Sequence, residues 1–180
     1  MEEGKLSKKD IKIVIAAHKP YRMPEDTMYV PLHVGAEGKK NPDGTPLDLG
    51  YQKDNEGDNI SAKNPNYCEL TGIYYAWKNI PAEYLGLVHY RRYFKGKNKS
   101  KDPFACIVTE PEMEKIFETH RIVVPKKRKY YIETLYSHYA HTHYAEHLDC
   151  VREIIGEQCP DYLNSYDKVI KQTSGYMFNM

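Results

Sequence analysis

Gly86-Leu87-Val88-His89-Tyr90-Arg91-Arg92-Tyr93-Phe94 opens on apolar residues suited to a buried strand and closes on a histidine and two adjacent arginines. In open α/β sheets ligands bind beyond the carboxyl ends of the strands, so cations where a core strand runs out are placed to grip an anion. The planar guanidinium fork takes phosphate oxygens in pairs, and an Arg91–Arg92 pair suits the two phosphates of a nucleotide. Read blandly, the same residues are a strand end whose arginines pair with nearby Asp or Glu, the usual fate of solvated charge.

Working upstream, Tyr84 to His89 is preceded by Ile80-Pro81, which ends a helical pattern. That pattern starts at Asn64-Pro65, with Asn as cap and Pro at the first helical position. Tyr67, Leu70, Tyr74 and Trp77 recur at helical spacing and predict a helix over 64–79 with these residues as its apolar face. Ile11-Lys12-Ile13-Val14-Ile15-Ala16-Ala17 reads as a first, buried strand. It runs into His18-Lys19-Pro20, where proline stops it. A short strand is expected over 28–34. The order strand, loop, helix, strand predicts an α/β protein with a mostly parallel sheet and crossover helices. Neither a G-x-G-x-x-G fingerprint nor a P-loop is present, so any nucleotide must be held in another way. Between the second strand and the helix, residues 35–58 are rich in Gly, Pro, Asp, Asn and Lys and predict a long loop. Loops beyond about 12–15 residues in a compact domain are usually functional or disordered.

Downstream, Glu110 to Thr119 reads as a helix with Met113, Ile116 and Phe117 on its apolar side. Arg121 to Pro125 reads as a short strand. Lys126-Lys127-Arg128-Lys129-Tyr130-Tyr131 follows, a basic block interleaved with aromatics. Tyr144 to Ile155 predicts a helix with Leu148, Val151 and Ile155 as its core face, and Asp161 to Lys171 predicts another. Tyr176-Met177-Phe178-Asn179-Met180 starts a further strand. Residues 1–180 read as one domain, with 1–10 as a flexible N-terminus.

The 180 residues can bury a real core, and 41% apolar with 28% charged residues describes a soluble globular chain. A formal net charge of +1 leaves no nucleic-acid footprint, which normally takes a marked basic excess. Seventeen tyrosines stand against four phenylalanines. Tyrosine joins an apolar body to a polar tip, which suits a half-wet cleft such as sugars occupy and equally suits packing in a polar chain. The four cysteines are widely spaced with no C-x-x-C pair, the N-terminus shows no signal-type apolar run, and no stretch approaches a membrane span. These features point to free thiols and a reducing cytoplasm.

The segments 57–64 (Gly-Asp-Asn-Ile-Ser-Ala-Lys-Asn), Tyr67-Cys68-Glu69-Leu70-Thr71, Trp77-Lys78-Asn79 and 86–94, in this order, resemble the DUF4422 family. Ile15-Ala16-Ala17-His18-Lys19-Pro20 and the closing 176–180 fit the same resemblance. These are bacterial glycosyltransferase-like proteins of capsular and exopolysaccharide gene clusters. The resemblance implies a GT-A-like, Rossmann-like fold and transfer of a sugar, galactofuranose or another hexose, from a nucleotide-sugar donor, UDP-linked, to a lipid-linked glycan acceptor. It also implies a longer protein, so a C-terminal portion is expected to be lacking. The alternative is a non-catalytic nucleotide- or glycan-binding module, and a phosphate-binding regulatory domain is a third reading.

Under that resemblance, His89, Arg91, Arg92 and Glu69 are the candidate catalytic residues. Ala17, His18, Lys19, Asp58, Asn59, Ser61 and Tyr90 are the candidate donor contacts. Many GT-A enzymes hold a divalent ion with Asp-x-Asp at a central strand end, where this chain carries His89-Tyr90-Arg91-Arg92. Positive side chains can take over the metal's task, because preorganised cations neutralise charge developing on phosphate. His89 either donates to a phosphate or ligates a metal as neutral imidazole. Asp54 and Asp58 are alternative metal or sugar ligands, although Asp58-Asn59 also reads as a self-bonded turn. Glu69 either orients Arg91 or Arg92 or acts as a base, the first being preferred. His138, His141, His143 and His147 lack an H-E-x-x-H pattern and read as a helix surface rather than a zinc site. Lys126 to Lys129 either form a solvated run or meet an anionic membrane, which would place the protein on the inner face of the bacterial membrane.

Overall fold

The computed structural model describes residues 8–176. Most of the expected flexible N-terminus, and all of the expected closing strand except Tyr176, lies outside the described residues. The chain divides after Val123 into two compact units.

The first unit is built on β1 (Ile11–Ala17), β2 (Tyr29–His33), β3 (Gln52–Lys53) and β4 (Tyr84–His89). They form one sheet in the order β3-β2-β1-β4, and every pairing is parallel. Parallel sheets are covered on both faces, which is why β1 is almost continuously apolar. Ile11, Ile13, Ile15 and Ala17 enter one core cluster, and Val14 and Ala16 enter another with Leu32 and Val34. Ile13 pairs with Gly86, whose place a Cβ would fill only at 3.1 Å from Ile13 Cγ1.

The helix expected over 64–79 is interrupted. Cys68 adopts φ 47° and separates α1 (Asn64–Tyr67) from α2 (Leu70–Asn79). Asn64 is not the cap. It is the first residue of α1, and its side-chain amide donates to the Cys68 carbonyl (2.7 Å) and the Thr71 hydroxyl (3.1 Å) across the break. The buried face of α2 is also not the expected one. Thr71, Gly72, Tyr75 and Ala76 face the sheet, whereas Leu70 and Trp77 are 56% and 64% exposed. The reason is proximity: a Cβ on Gly72 would stand 2.8 Å from Val34 Cγ1, so only small residues let the helix approach. Bulky Trp77 instead carries the Lys78 ammonium 3.7 Å from its ring centroid in solvent.

The other face is covered by α3 (Glu110–Phe117), begun by a reciprocal Thr109–Glu112 capping box. Met113 is buried there, and Phe117 stacks on Tyr84 with ring centroids 3.9 Å apart. The strand expected over 121–125 is not found among the described elements, though Val123 packs against the core. The long 35–58 segment is partly ordered: it contributes β3 and the fully buried Asp54.

The second unit pairs β5 (Arg128–Lys129) antiparallel with β6 (Ser174–Gly175) and contains α4 (Leu135–Thr142), α5 (Ala145–Gln158) and α6 (Leu163–Ile170). α4 carries His138 and His141, two of the four histidines read as a helix surface. On the expected core face of α5, Leu148 and Ile155 are half-buried but Val151 is 42% exposed. All four cysteines are free thiols. Among the described residues no helix is long and apolar enough to cross a membrane.

Candidate functional site

Because β1, β2 and β4 run parallel, Ala17, His33 and His89 end at one edge of the sheet. The crossover helix returns antiparallel to the strands, so Glu69, immediately before α2, stands at this same edge. Asn79 lies about 15 Å away along the helix axis, toward the opposite edge. This geometry sorts the candidate residues.

His89 is buried, at 7% exposure. The Arg91 backbone N–H donates to His89 Nδ1 at 3.3 Å, and the Arg92 N–H donates to the His89 carbonyl at 2.8 Å. His89 Nε2 faces Glu69 Oε1 at 3.9 Å. With Nδ1 accepting, the proton of the neutral ring sits on Nε2. Burial pushes the His89 pKa down, with Arg91, Arg92 and His18 acting in the same direction and Glu69 opposing them. His89 is therefore a neutral, enclosed residue that fixes the turn carrying the arginines. The open donor or metal ligand expected from sequence is not what the geometry gives. Glu69, expected to orient an arginine, presents its carboxylate to His89.

Tyr90, the residue after β4, is 1% exposed, and its ring lies tilted against that of His89 with centroids 4.2 Å apart. The rings of His18 and Tyr21 meet it edge-on at 5.2 and 5.1 Å. The Lys19 ammonium and the Arg91 guanidinium lie 5.7 and 5.1 Å from its centroid. Cations above an aromatic face are held without neutralising their charge. Arg91 is exposed and forms no ion pair among the described residues, so its fork remains available to an anion. His18, Lys19, Tyr90 and Arg91 thus lie together. Ala17 is fully buried, and its carbonyl is taken by the Val34 N–H.

Beside Arg91 opens a cavity of about 420 Å³, lined among others by Tyr21, Tyr90, Tyr93 and Phe104. One wall is clamped: Arg22 makes a bidentate pair with Asp102 (3.0 and 2.7 Å) while lying over the Phe104 ring. Tyr51 fixes the lining residue Tyr21 by exchanging hydrogen bonds with its backbone. Tyr21, Tyr51, Tyr93 and this clamp were not singled out from sequence. The excess of tyrosine was the available signal, and it carried no positions.

The acidic candidates separate. Asp54 is fully buried and accepts four hydrogen bonds, from the Gly35 and Ala36 N–H groups and from the Ser61 and Thr71 hydroxyls. Ser61, itself 1% exposed, also accepts from the Glu37 N–H. Neither residue is offered to a ligand; together they close the loop between β2 and α2. Asp58 lies toward the far end of α2, bonded by Tyr74 (3.0 Å) and exchanging backbone hydrogen bonds with the Asn79 side chain. Asn59 bonds the Gly57 carbonyl and the Ser61 N–H, a self-contained turn. Asp58 is thus held beside Asn79, and Asn59 within its own turn.

His33, not anticipated from sequence, is buried at 1% exposure at the end of β2. Its Nδ1 has no hydrogen-bond partner among the described residues, and burial pushes its pKa down. In the second unit, His138 and His141 both bond Glu133 (2.9 and 2.6 Å). His143 and His147 do not share a helical face, because His143 ends α4 and His147 lies in α5. Among the described residues no three His, Cys, Asp or Glu side chains gather as a metal-holding group.

The family described as a domain of unknown function, DUF4422, matches residues 12–180. The apo structure of the bifunctional glycosyltransferase WbbM is similar at a TM-score of 0.78 and 28% identity, over 93% of this chain. The chain spans 32% of the length of that protein. No curated protein matches the chain.

Proposed function

The chain belongs to the DUF4422 family, and on that footing we propose that it forms the nucleotide-sugar-binding part of a glycosyltransferase, with Arg91 holding the donor diphosphate. The observation that carries this reading is the exposed guanidinium over Tyr90, at the carboxyl edge of a parallel sheet and on the rim of an aromatic cavity. The likeness to the glycosyltransferase WbbM supports it.

In the proposed reaction an acceptor hydroxyl attacks the anomeric carbon of the donor sugar. The carbon–oxygen bond to the diphosphate breaks, the electron pair leaves on the phosphate oxygen, and the acceptor hydroxyl gives up its proton to the departing diphosphate or to water. Arg91 lies where that charge develops, and a preorganised cation in a partly enclosed site lowers the barrier. Lys19 adds charge from the β1 side. His89 positions Arg91 through its backbone N–H, and Glu69 faces the other ring nitrogen. The tyrosine-lined cavity offers faces on which a sugar or a base packs. Donor sugar (galactofuranose or another hexose), UDP linkage, lipid-linked capsular or exopolysaccharide acceptor, and work at the inner membrane face complete the proposal. The basic run Lys126–Lys129 supplies a contact with anionic lipid in this reading.

The test is a melting assay with UDP, other nucleotides and their sugars, combined with release of UDP from the donor in water. We expect stabilisation by UDP and UDP-sugars, slow donor hydrolysis, and loss of both in Arg91→Ala at an unchanged unliganded Tm. The cost in turnover is about 100-fold, as for removal of one preorganised charge donor. Equal shifts in wild type and Arg91→Ala would refute the assignment. Stabilisation without hydrolysis would leave a binding module.

A further inference from the structure

The second unit carries a feature that the donor site does not use. Tyr131 and Ile132 are 83% and 95% exposed and adjacent, at the turn between β5 and α4. The turn is rigidly made. Tyr130 is 8% exposed with its ring against His138 at 4.2 Å, and its carbonyl accepts from the N–H groups of both Ile132 (2.8 Å) and Glu133 (3.3 Å). Tyr131 adopts φ 61°, a left-handed conformation unfavourable for a bulky residue. A strained backbone thus holds two large apolar side chains out in water, and such outliers persist where the surrounding structure dictates them, often at functional sites.

The approach to this tip is basic. Lys126, Lys127, Arg128 and Lys129 are all exposed. Lys127 lies 5.3 Å from the Tyr176 ring centroid and reaches Gln172, and Arg128 lies 5.4 Å from the Tyr130 ring. The neighbouring carboxylate, Glu133, is engaged by His138 and His141. An aromatic and a branched aliphatic tip backed by cations complements an anionic lipid surface: apolar groups enter the acyl boundary while ammonium and guanidinium groups stay among the headgroups. A solvated charge run would need no apolar tip, and a polyanion in solution would gain nothing from Ile132.

We propose that Tyr131 and Ile132 form a wedge that inserts into an anionic bilayer surface, with Lys126–Lys129 as its electrostatic collar. This rests on the reading above that the basic run meets anionic lipid, and adds to it the residues that enter the membrane.

The test is co-sedimentation of the 180-residue chain with phosphatidylcholine vesicles and with an equal mixture of phosphatidylcholine and phosphatidylglycerol. We expect partition into the mixed vesicles only. Ile132→Ser lowers it about tenfold, in line with losing one buried aliphatic side chain. The pair Lys126→Gln and Lys129→Gln lowers it about 25-fold, at about fivefold per cation. Both sites are exposed, and unchanged melting temperatures identify the variants as folded. A tryptophan fluorescence blue-shift on mixed vesicles is expected for Ile132→Trp in a Trp77→Phe background. If the lysine pair loses binding while Ile132→Ser matches wild type, the wedge is overturned and the basic contact stands. If wild type ignores the mixed vesicles, or binds both kinds equally, both are overturned. Neither result bears on UDP binding at Arg91.

Discussion

Two charged corners lie beyond the carboxyl ends of the same parallel strands, one around Asp54 and one around Arg91, and they are finished in opposite ways. At Asp54 the protein supplies every partner: two backbone N–H groups and two hydroxyls surround a carboxylate with no exposure. At Arg91 the protein supplies an aromatic support and a fixed backbone, and leaves the guanidinium open to solvent. A charge satisfied from within is part of the scaffold. A charge held in place but left unneutralised is where a ligand completes the arrangement. The difference lies in the chain around each residue, since both occupy the edge at which α/β sheets bind ligands.

The strongest way to break this contrast is Asp54→Ala. It strands four donors in a buried site, and removing one member of a buried polar cluster costs about 3–5 kcal/mol. Against a total stability of about 5–15 kcal/mol, we expect a fall in Tm of about 10 °C or more. Differential scanning fluorimetry checks it, beside Arg91→Ala, which should melt like wild type. Comparable losses in the two variants would erase the distinction between a scaffold corner and a ligand corner.

A subtler effect is expected of His89. Its folded pKa lies below its ordinary value, so between the two values the unfolded chain binds more protons than the folded one. The stability contribution is therefore present above the ordinary histidine pKa of about 6.5 and is lost as pH falls through the lowered folded pKa. His33, also pushed down by burial, acts with the same sign. Protonation at His89 Nδ1 would in addition remove the acceptor of the Arg91 N–H. His89→Asn retains an acceptor near that position and cannot titrate. Its Tm should fall less than that of wild type between pH 7 and 5, and parallel curves would show that His89 does not set the acid response.

β1 and β4 were legible because Ile11–Ala17 and Tyr84–His89 are largely apolar runs, whereas β3 is the polar pair Gln52–Lys53 inside a segment that reads as loop. His18, Lys19, Tyr90 and Arg91 could be picked as candidates because they follow β1 and β4, and parallel order brings the residues after those strands to one edge. The face of α2 was not. Periodicity favoured Tyr67, Leu70, Tyr74 and Trp77, yet close approach to Val34 selected Gly72 and Ala76, and small residues leave no strong pattern. The role of Asp54 was hidden for a related reason. Its partners come from Gly35, Ala36, Ser61 and Thr71, spread over three segments that only the closed loop brings together.

Asp58 sharpens the contrast from its weak end. It is four residues from Asp54 in the same loop and shares its chemistry, but it is exposed, and among the described residues its carboxylate reaches only Tyr74 at 3.0 Å and Lys78 at 3.9 Å. The Asn79 side chain that fixes this part of the loop bonds the Asp58 backbone, which survives truncation of the side chain. Exposed ion pairs of this kind contribute about 0–1 kcal/mol. Asp58→Ala should therefore shift Tm by no more than about 3 °C and leave UDP stabilisation unchanged. Lost UDP binding in Asp58→Ala would mean that the far end of α2 reports to the donor site. The two corners would then no longer account for the binding edge without the loop that runs past them.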